Sequence, residues 1–264
     1  MKIVVLVKHV PDTASEPGFA VDRTTDRAGV DGRLSELDEY AVEQALQVAD
    51  AAGGGEIVYV TMGPDDAVEA LRKALSMGGD AAVHVVDDAL HGSDALATSL
   101  VLATSLEKIR ADQGEVDLVV CGMSSTDGTM SVVPAMLSER LGIPGLTMAA
   151  HLSVEGGSVT IRRDGDDAST TVTSQLPALV SVTDQTGEAR YPSFKGIMAA
   201  KKKPVTTWTL ADLGIDPAEV GLSAAWSQVE DATKRPPRQA GVVVTDEGDG
   251  GVKLAEFLAS TKFI

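Results

Sequence analysis

The run Gly122-Met123-Ser124-Ser125-Thr126-Asp127-Gly128-Thr129-Met130-Ser131 gathers hydroxyls and small residues just ahead of a helical pattern. Backbone N–H groups at a helix N-terminus, joined by Ser and Thr hydroxyls, can hold a phosphate. The same residue types are ordinary helix caps, so the loop alone admits both readings. A second run, Arg190-Tyr191-Pro192-Ser193-Phe194-Lys195-Gly196-Ile197-Met198, continues into Lys201-Lys202-Lys203. It sets Phe194, Ile197 and Met198 at i, i+3 and i+4, one apolar face of a short helix. An apolar face beside a cationic run, on an acidic chain, suits a docking element. It also suits a core helix whose lysines complement the helix dipole.

Other chemistry finds little support. The four histidines are His9, His84, His91 and His151, and none has metal-type spacing. His9 and His84 fall in strand-like runs and read as structural. The single cysteine, Cys121, lies in an apolar run and reads as a small core residue. No GxSxG elbow, no P-loop and no GxGxxG after the first strand is present. A self-contained hydrolase or dehydrogenase is therefore not expected.

Composition narrows the partners. Lys and Arg total 22 and Asp and Glu 39, so the net charge is −17. That argues against nucleic acid and anionic membranes. No apolar run approaches the roughly 20 residues that span a bilayer, so the chain is expected not to cross one. Its start passes directly into a strand-like run without a signal-peptide pattern, and a cytoplasmic protein is expected. Aromatics make up only 3%, so a core in this chain must be aliphatic. Such cores suit α/β folds, whose buried parallel strands read as Val, Ile and Leu runs.

The elements follow in a regular order. Residues 2–10, 56–62, 81–86 and 116–121 read as strands. Helical patterns cover 37–52, from a cap at Asp65 to 77, from Ser93 or Asp94 to 111, and a stretch ending near Leu141. This predicts an α/β fold: a Rossmann-like, doubly wound, mostly parallel sheet. Ligands bind such sheets outside the carboxyl ends of the strands. Lys8–Thr13, Ser35–Asp38, Thr61–Pro64 and Gly122–Val133 converge there. Beyond Pro144, residues 146–154, 158–163, 169–175 and 178–183 read as an added antiparallel region. An extended C-terminal arm follows, with a last helix over 252–260. The expected domains are 1–190, a recognition segment over 191–204, and a C-terminal extension over 205–264 that packs on another subunit.

The motifs together resemble the β subunit of electron transfer flavoprotein, also called the FixA family. They are KIVVLVKHVPDT at 2–13, LDEYAVEQAL at 37–46, VTMGP at 60–64, ALSMGGD at 74–80 and VDLVVCGMSSTDGT at 116–129. ERLGIP at 139–144, IRRDGDD at 161–167, QLPALVSVT at 175–183 and ARYPSFKGIMAAKKKP at 189–204 continue the series. The resemblance implies a heterodimer with an α subunit that holds most of an electron-carrying FAD. It implies an AMP of structural role in the β subunit. It implies acyl-CoA dehydrogenases as electron donors and a membrane-bound quinone oxidoreductase as acceptor. By position, the AMP contacts would be Leu6, Ser35, Glu36, Leu37, Asp38, Met62, and the loop Gly122, Met123, Ser124, Ser125, Thr126, Asp127, Gly128, Thr129, Met130, Ser131, Val132 and Val133. Tyr191, Phe194, Lys195, Ile197 and Met198 would form the recognition segment, with Phe194 where relatives commonly have leucine. Val132 stands where relatives commonly have Gln, and Pro134 where they have Gly. Those departures bear on how a phosphate is held and weigh against the bifurcating variant with a second FAD. The rival readings are a stand-alone adenine-nucleotide-binding module and an interaction subunit with no nucleotide.

Overall fold

The computed structural model describes residues 1–238 and 241–264. Residues 239 and 240, inside the expected C-terminal extension, lie outside the described residues. The chain opens with β1 (Lys2–Leu6), then β2 (His9–Pro11) and β3 (Gly32–Leu34), which pair antiparallel. It continues with α1 (Glu36–Ala51), β4 (Glu56–Met62), α2 (Val68–Met77), β5 (Ala81–Val85), α3 (Ala95–Gln113), β6 (Leu118–Gly122) and α4 (Val133–Leu141). β7 (Gly145–Ala149), β8 (His151–Glu155), β9 (Ser158–Asp164), β10 (Ser169–Gln175) and β11 (Ala178–Val182) follow. The last elements are α5 (Phe194–Ala200), β12 (Val205–Trp208), α6 (Leu210–Leu213), α7 (Gly221–Ala224) and α8 (Gly250–Ser260).

The main sheet has seven strands in the order β12-β5-β4-β1-β6-β11-β7, and every recorded pairing in it is parallel. β8, β9 and β10 form a separate antiparallel sheet. The α/β expectation holds, with one correction. β7 and β11 belong to the parallel sheet and not to the antiparallel addition. The reason is visible in β11, where all five residues are buried. A strand covered on both faces must be apolar throughout. β10, read as STTVTSQ, carries only partial burial and sits at the edge of its own sheet.

Two aliphatic layers cover the sheet. One packs α1 and α2 against Ile3, Val5, Ile57 and Tyr59. The other packs α3 and α6 against Val4, Val58, Val60 and Val119. Cys121 is buried, with Sγ 3.7 Å from the Val180 carbonyl oxygen, and burial pushes its thiol up. His84 is buried with Nε2 3.1 Å from the Gly63 carbonyl oxygen, as a structural histidine should be.

Two local expectations shift. Asp94 caps α3, accepting from the Leu96 and Ala97 amides. Asp65 caps nothing; it opens a 3-10 turn, Asp65–Ala67, and α2 starts after it. The compact unit extends from residue 1 to 230, and β12 is a strand of its sheet. Residues 231–264 form a second unit. Its helix α8 exposes Val252, Leu254 and Phe257. No helix among the described residues is long and apolar enough to cross a membrane.

Candidate functional site

The chain leaves β1 for β4 and β5 on one side of the sheet and returns through β6 on the other. The carboxyl ends of β1 and β6 therefore flank the topological switch point, where such sheets bind ligands. Asp38, in the first turn of α1, spans that point. Its Oδ2 accepts from the Lys8 amide at 2.8 Å and its Oδ1 from the Gly122 amide at 3.3 Å. Gly122 has no room for a side chain: a Cβ there would lie 2.6 Å from Asp38 Oδ1 and 2.9 Å from the Leu37 carbonyl oxygen. Burial pushes the Asp38 carboxyl up to about 7, against the pull of those amides and of Lys8. Asp38 is thus a brace across the crevice floor.

Four buried hydroxyls lack partners among the described residues: Tyr59 Oη, in the core beside Gly79, and Ser35 Oγ, Thr61 Oγ1 and Thr126 Oγ1. Ser35 precedes α1 without capping it, and its amide donates to the Lys8 carbonyl. Thr61 is the penultimate residue of β4, next to Val60, whose carbonyl accepts from the Val7 amide. Ser35 therefore sits at the Lys8 end of β1, Thr61 on the β4 side of that strand, and Thr126 in the loop after β6. An unpartnered buried hydroxyl costs about 1–3 kcal/mol, so Ser35, whose amide bonds the Lys8 carbonyl, and Thr126, in the loop after β6, favour a polar ligand at this crevice.

The phosphate-type loop supports this. The residue that caps α4 is Val132, with no side-chain cap bond, so the ordinary-cap reading of Ser131 fails. The first amides of a helix have no intrahelical acceptor. Ser131 has φ 56°, and Val132 follows with φ −98° and ψ −25°. A left-handed residue followed by a right-handed one turns successive N–H groups toward one anion. Thr129 is also left-handed, with φ 53°. Pro134 is the second residue of α4 and supplies no N–H, so the donors there are the amides around Ser131–Val133 and Ala135.

The expected site residues divide. Ser35, Asp38 and Gly122–Val133 gather around the β1 and β6 ends. The side chains of Leu6 and Met62 pack with the α3-side core. Glu36 is exposed and pairs with Arg33 at 3.3 Å. Lys8 and Arg27 were not among the expected contacts. Both grip Asp127, at 2.9 Å and 2.6 Å. Burial alone would raise the Asp127 carboxyl, but the two cations hold it well below the usual range. Lys8 lies inside Lys8–Thr13, one of the strand-end segments expected to converge there. Arg27 sits in an irregular stretch with no period to place it. Among the described residues no cluster could hold a metal ion.

The second candidate region lies on α5. Phe194 is 80% exposed and Tyr191 93%, and Lys195, Ile197 and Met198 are exposed as well. The core-helix reading fails, because only Ala200 of α5 is buried. α5 is nevertheless fixed in place. Ser193 caps it by accepting from the Gly196 amide. Gly196 lies against α2, where a Cβ would meet the Ser76 carbonyl oxygen at 2.4 Å. Arg72 of α2 donates to the Ala200 and Lys203 carbonyls, closing the end of α5. Lys203 donates back to the Leu75 and Gly78 carbonyls, closing the end of α2. The lysine run thus splits: Lys203 is a cap, and Lys201 and Lys202 are exposed.

Arg190 ties the base of this segment to α1. It pairs with Glu43 through Nε at 2.7 Å and Nη2 at 3.1 Å, and its amide donates to the same carboxylate. Burial raises the Glu43 carboxyl, but Arg190 and Gln47 bring it below its usual range. Glu43→Gln is expected to cost about 1–2 kcal/mol in urea denaturation at neutral pH, discounted for the partly exposed Arg190. A depressed carboxyl stabilises above its unfolded pKa, so the gap should close as pH falls below about 4. A gap independent of pH would assign the cost to packing instead.

Known proteins are similar to this chain in sequence. The electron transfer flavoprotein domain matches residues 22–213. Electron transfer flavoprotein subunit beta of Mycobacterium leprae is 48% identical over 267 residues, covering 99% of each chain. The subunit beta of Megasphaera elsdenii is 36% identical, covering 94% of this chain and 93% of its own. The caffeyl-CoA reductase-Etf complex subunit CarD of Acetobacterium woodii is 34% identical, covering 93% and 92%. The chain belongs to the electron transfer flavoprotein β-subunit family.

Proposed function

We propose that this electron transfer flavoprotein β subunit pairs with an α subunit to form a heterodimeric electron carrier, and that it holds an AMP of structural role. The observation that carries the nucleotide assignment is the crevice between β1 and β6. Its walls carry the unpartnered hydroxyls of Ser35 and Thr126 and the uncapped start of α4. The AMP phosphate would rest on the amides around Ser131–Val133, with Ser35 and Thr126 supplying hydroxyls. FAD, held mainly by the α subunit, supplies the electron-carrying chemistry. Acyl-CoA dehydrogenases are the donors in this reading, and a membrane-bound quinone oxidoreductase the acceptor. The chain is then a carrier subunit and not an enzyme by itself.

The outward Phe194 stripe supports the docking half of the proposal. A partner that must be met and released often needs a small apolar anchor, not a large interface. Lys195, Lys201 and Lys202 set positive charge beside that anchor on an acidic chain, which favours encounter with acidic rims. The exposed apolar face of α8 in the second unit fits contact with the α subunit.

Co-expression with the candidate α subunit tests the assignment. The expected result is a yellow one-to-one complex that releases one FAD and one AMP on acid treatment. A colourless chain that ignores the α subunit would sink the heterodimer. Two FAD per heterodimer and no AMP would replace this reading with the bifurcating one.

A further inference from the structure

We infer that Arg27 is a latch that closes the mouth of the crevice between β1 and β6 and sets the rate at which the nucleotide enters and leaves. The inference rests on the reading that AMP occupies this crevice.

The geometry begins with the two walls of the crevice. One wall is the β1 end, its extension through β2 and β3, and the start of α1. The other is the β6 end, the loop Met123–Val132 and the start of α4. Asp38 joins the walls at the floor, through the Lys8 and Gly122 amides. Asp127 joins them again through its side chain. Its Oδ1 takes Lys8 Nζ at 2.9 Å, and its Oδ2 takes Arg27 Nη2 at 2.6 Å. The Asp127 side chain is only 8% exposed, so these bonds are shielded from water on that side.

Arg27 reaches this position from afar in sequence. It lies in the excursion that leaves β2 after Pro11 and returns to β3 at Gly32. Its Nη1 donates to the His9 carbonyl at 3.1 Å, which fixes the guanidinium against the β2 strand. The tip of the same excursion is held separately, by Asp22 on His91 Nε2 at 2.7 Å. The excursion is thus pinned at both points, and Arg27 is the one that touches the phosphate-type loop. That loop carries Thr129 and Ser131 in left-handed geometry. Non-glycine residues keep such geometry only where their surroundings hold them, and Asp127 is the held residue next to them.

The bonds recorded for Arg27 and Lys8 in this cluster go to protein atoms. Asp127 takes one cation on each carboxylate oxygen, and the Arg27 fork is committed to the two walls, Nη1 to the His9 carbonyl and Nη2 to Asp127. Arg27 is accordingly a positioning residue and not a ligand contact. Its loss should speed exchange in both directions and leave the equilibrium affinity nearly unchanged.

The test uses the α–β heterodimer loaded with radiolabelled AMP and chased with unlabelled AMP. Arg27→Met is expected to release label about tenfold faster or more, the scale of one charge-assisted hydrogen bond. Uptake of label should accelerate alike, with the dissociation constant changed less than about threefold. FAD content should match wild type, while the melting temperature should fall with the lost partner of the buried Asp127. Arg27→Lys should fall between the two, because one ammonium cannot serve His9 and Asp127 with the same fork. Release at the wild-type rate in both variants overturns the latch. So does a loss of affinity that equals the gain in release rate, since that makes Arg27 a ligand contact. Should Arg27→Met give no heterodimer, Arg27→Lys decides by the same criteria. A wild-type heterodimer that takes up no AMP overturns the nucleotide reading itself, and the latch with it.

Discussion

Phe194→Ala should lower kcat/KM for reduction of the heterodimer by an acyl-CoA dehydrogenase by about 30-fold. Heterodimer yield and flavin spectrum should stay as in wild type. The size follows from the cost of truncating an aromatic anchor, about 2 kcal/mol, at about 1.4 kcal/mol per tenfold. Phe194 is 80% exposed and makes no core contact, so its removal should not loosen the fold. The helix that carries it is rigid by construction. Gly196 seats it on Ser76, and Arg72 and Lys203 close the ends of α5 and α2 reciprocally. A fixed anchor loses little conformational entropy on docking, which makes a small contact sufficient. The measurement is initial rate at limiting dehydrogenase. Unchanged kinetics there would remove the docking role from this helix and leave its exposed face without a function.

The sequence made much of this legible, for identifiable reasons. The strand runs at 2–6, 56–62, 81–85 and 118–122 are continuous and apolar, which is how strands buried on both faces read. The crevice followed, because a doubly wound sheet fixes where ligands go. ALVSV carries the same signal, yet its neighbours alternate, and a local reading grouped it with them. Its place in the parallel sheet depends on pairing with β6, which lies far away in sequence. Side-chain direction was harder still. The period at Phe194, Ile197 and Met198 gives a face but not which way it turns. Only the seating of Gly196 on α2 sends it to solvent. Lys203 looked like its neighbours in the run, and a helix end brought near by the fold made it a cap. Arg27 had no legible signal, because an irregular excursion places its side chains through long-range ion pairs.

Asp38→Asn should separate the two roles of the crevice floor by pH. The Asp38 carboxyl is pushed up to about 7 by burial, above its unfolded value near 4. The folded state therefore binds more protons than the unfolded state between those values. Stability from this group is fully present below about pH 4 and is lost as pH rises through about 7. Asparagine carries no such term. From about pH 5.5 to about pH 8, wild type should lose about 2 kcal/mol relative to the variant in urea denaturation. The protonated carboxyl keeps acceptor lone pairs on both oxygens for the Lys8 and Gly122 amides, whereas asparagine offers one acceptor oxygen, so the variant should be the less stable protein at the acidic end. Parallel pH profiles would mean that Asp38 stays charged and that its two amide bonds outweigh desolvation. The sign also matters for the ligand. A charged Asp38 would repel a phosphate in the same crevice, whereas a neutral one would not. AMP should then favour the protonated carboxyl, and its binding near neutral pH should take up protons in wild type and fewer in Asp38→Asn. Calorimetry in two buffers of different ionisation enthalpy reads that difference directly, and equal uptake in both proteins would place the proton on another group.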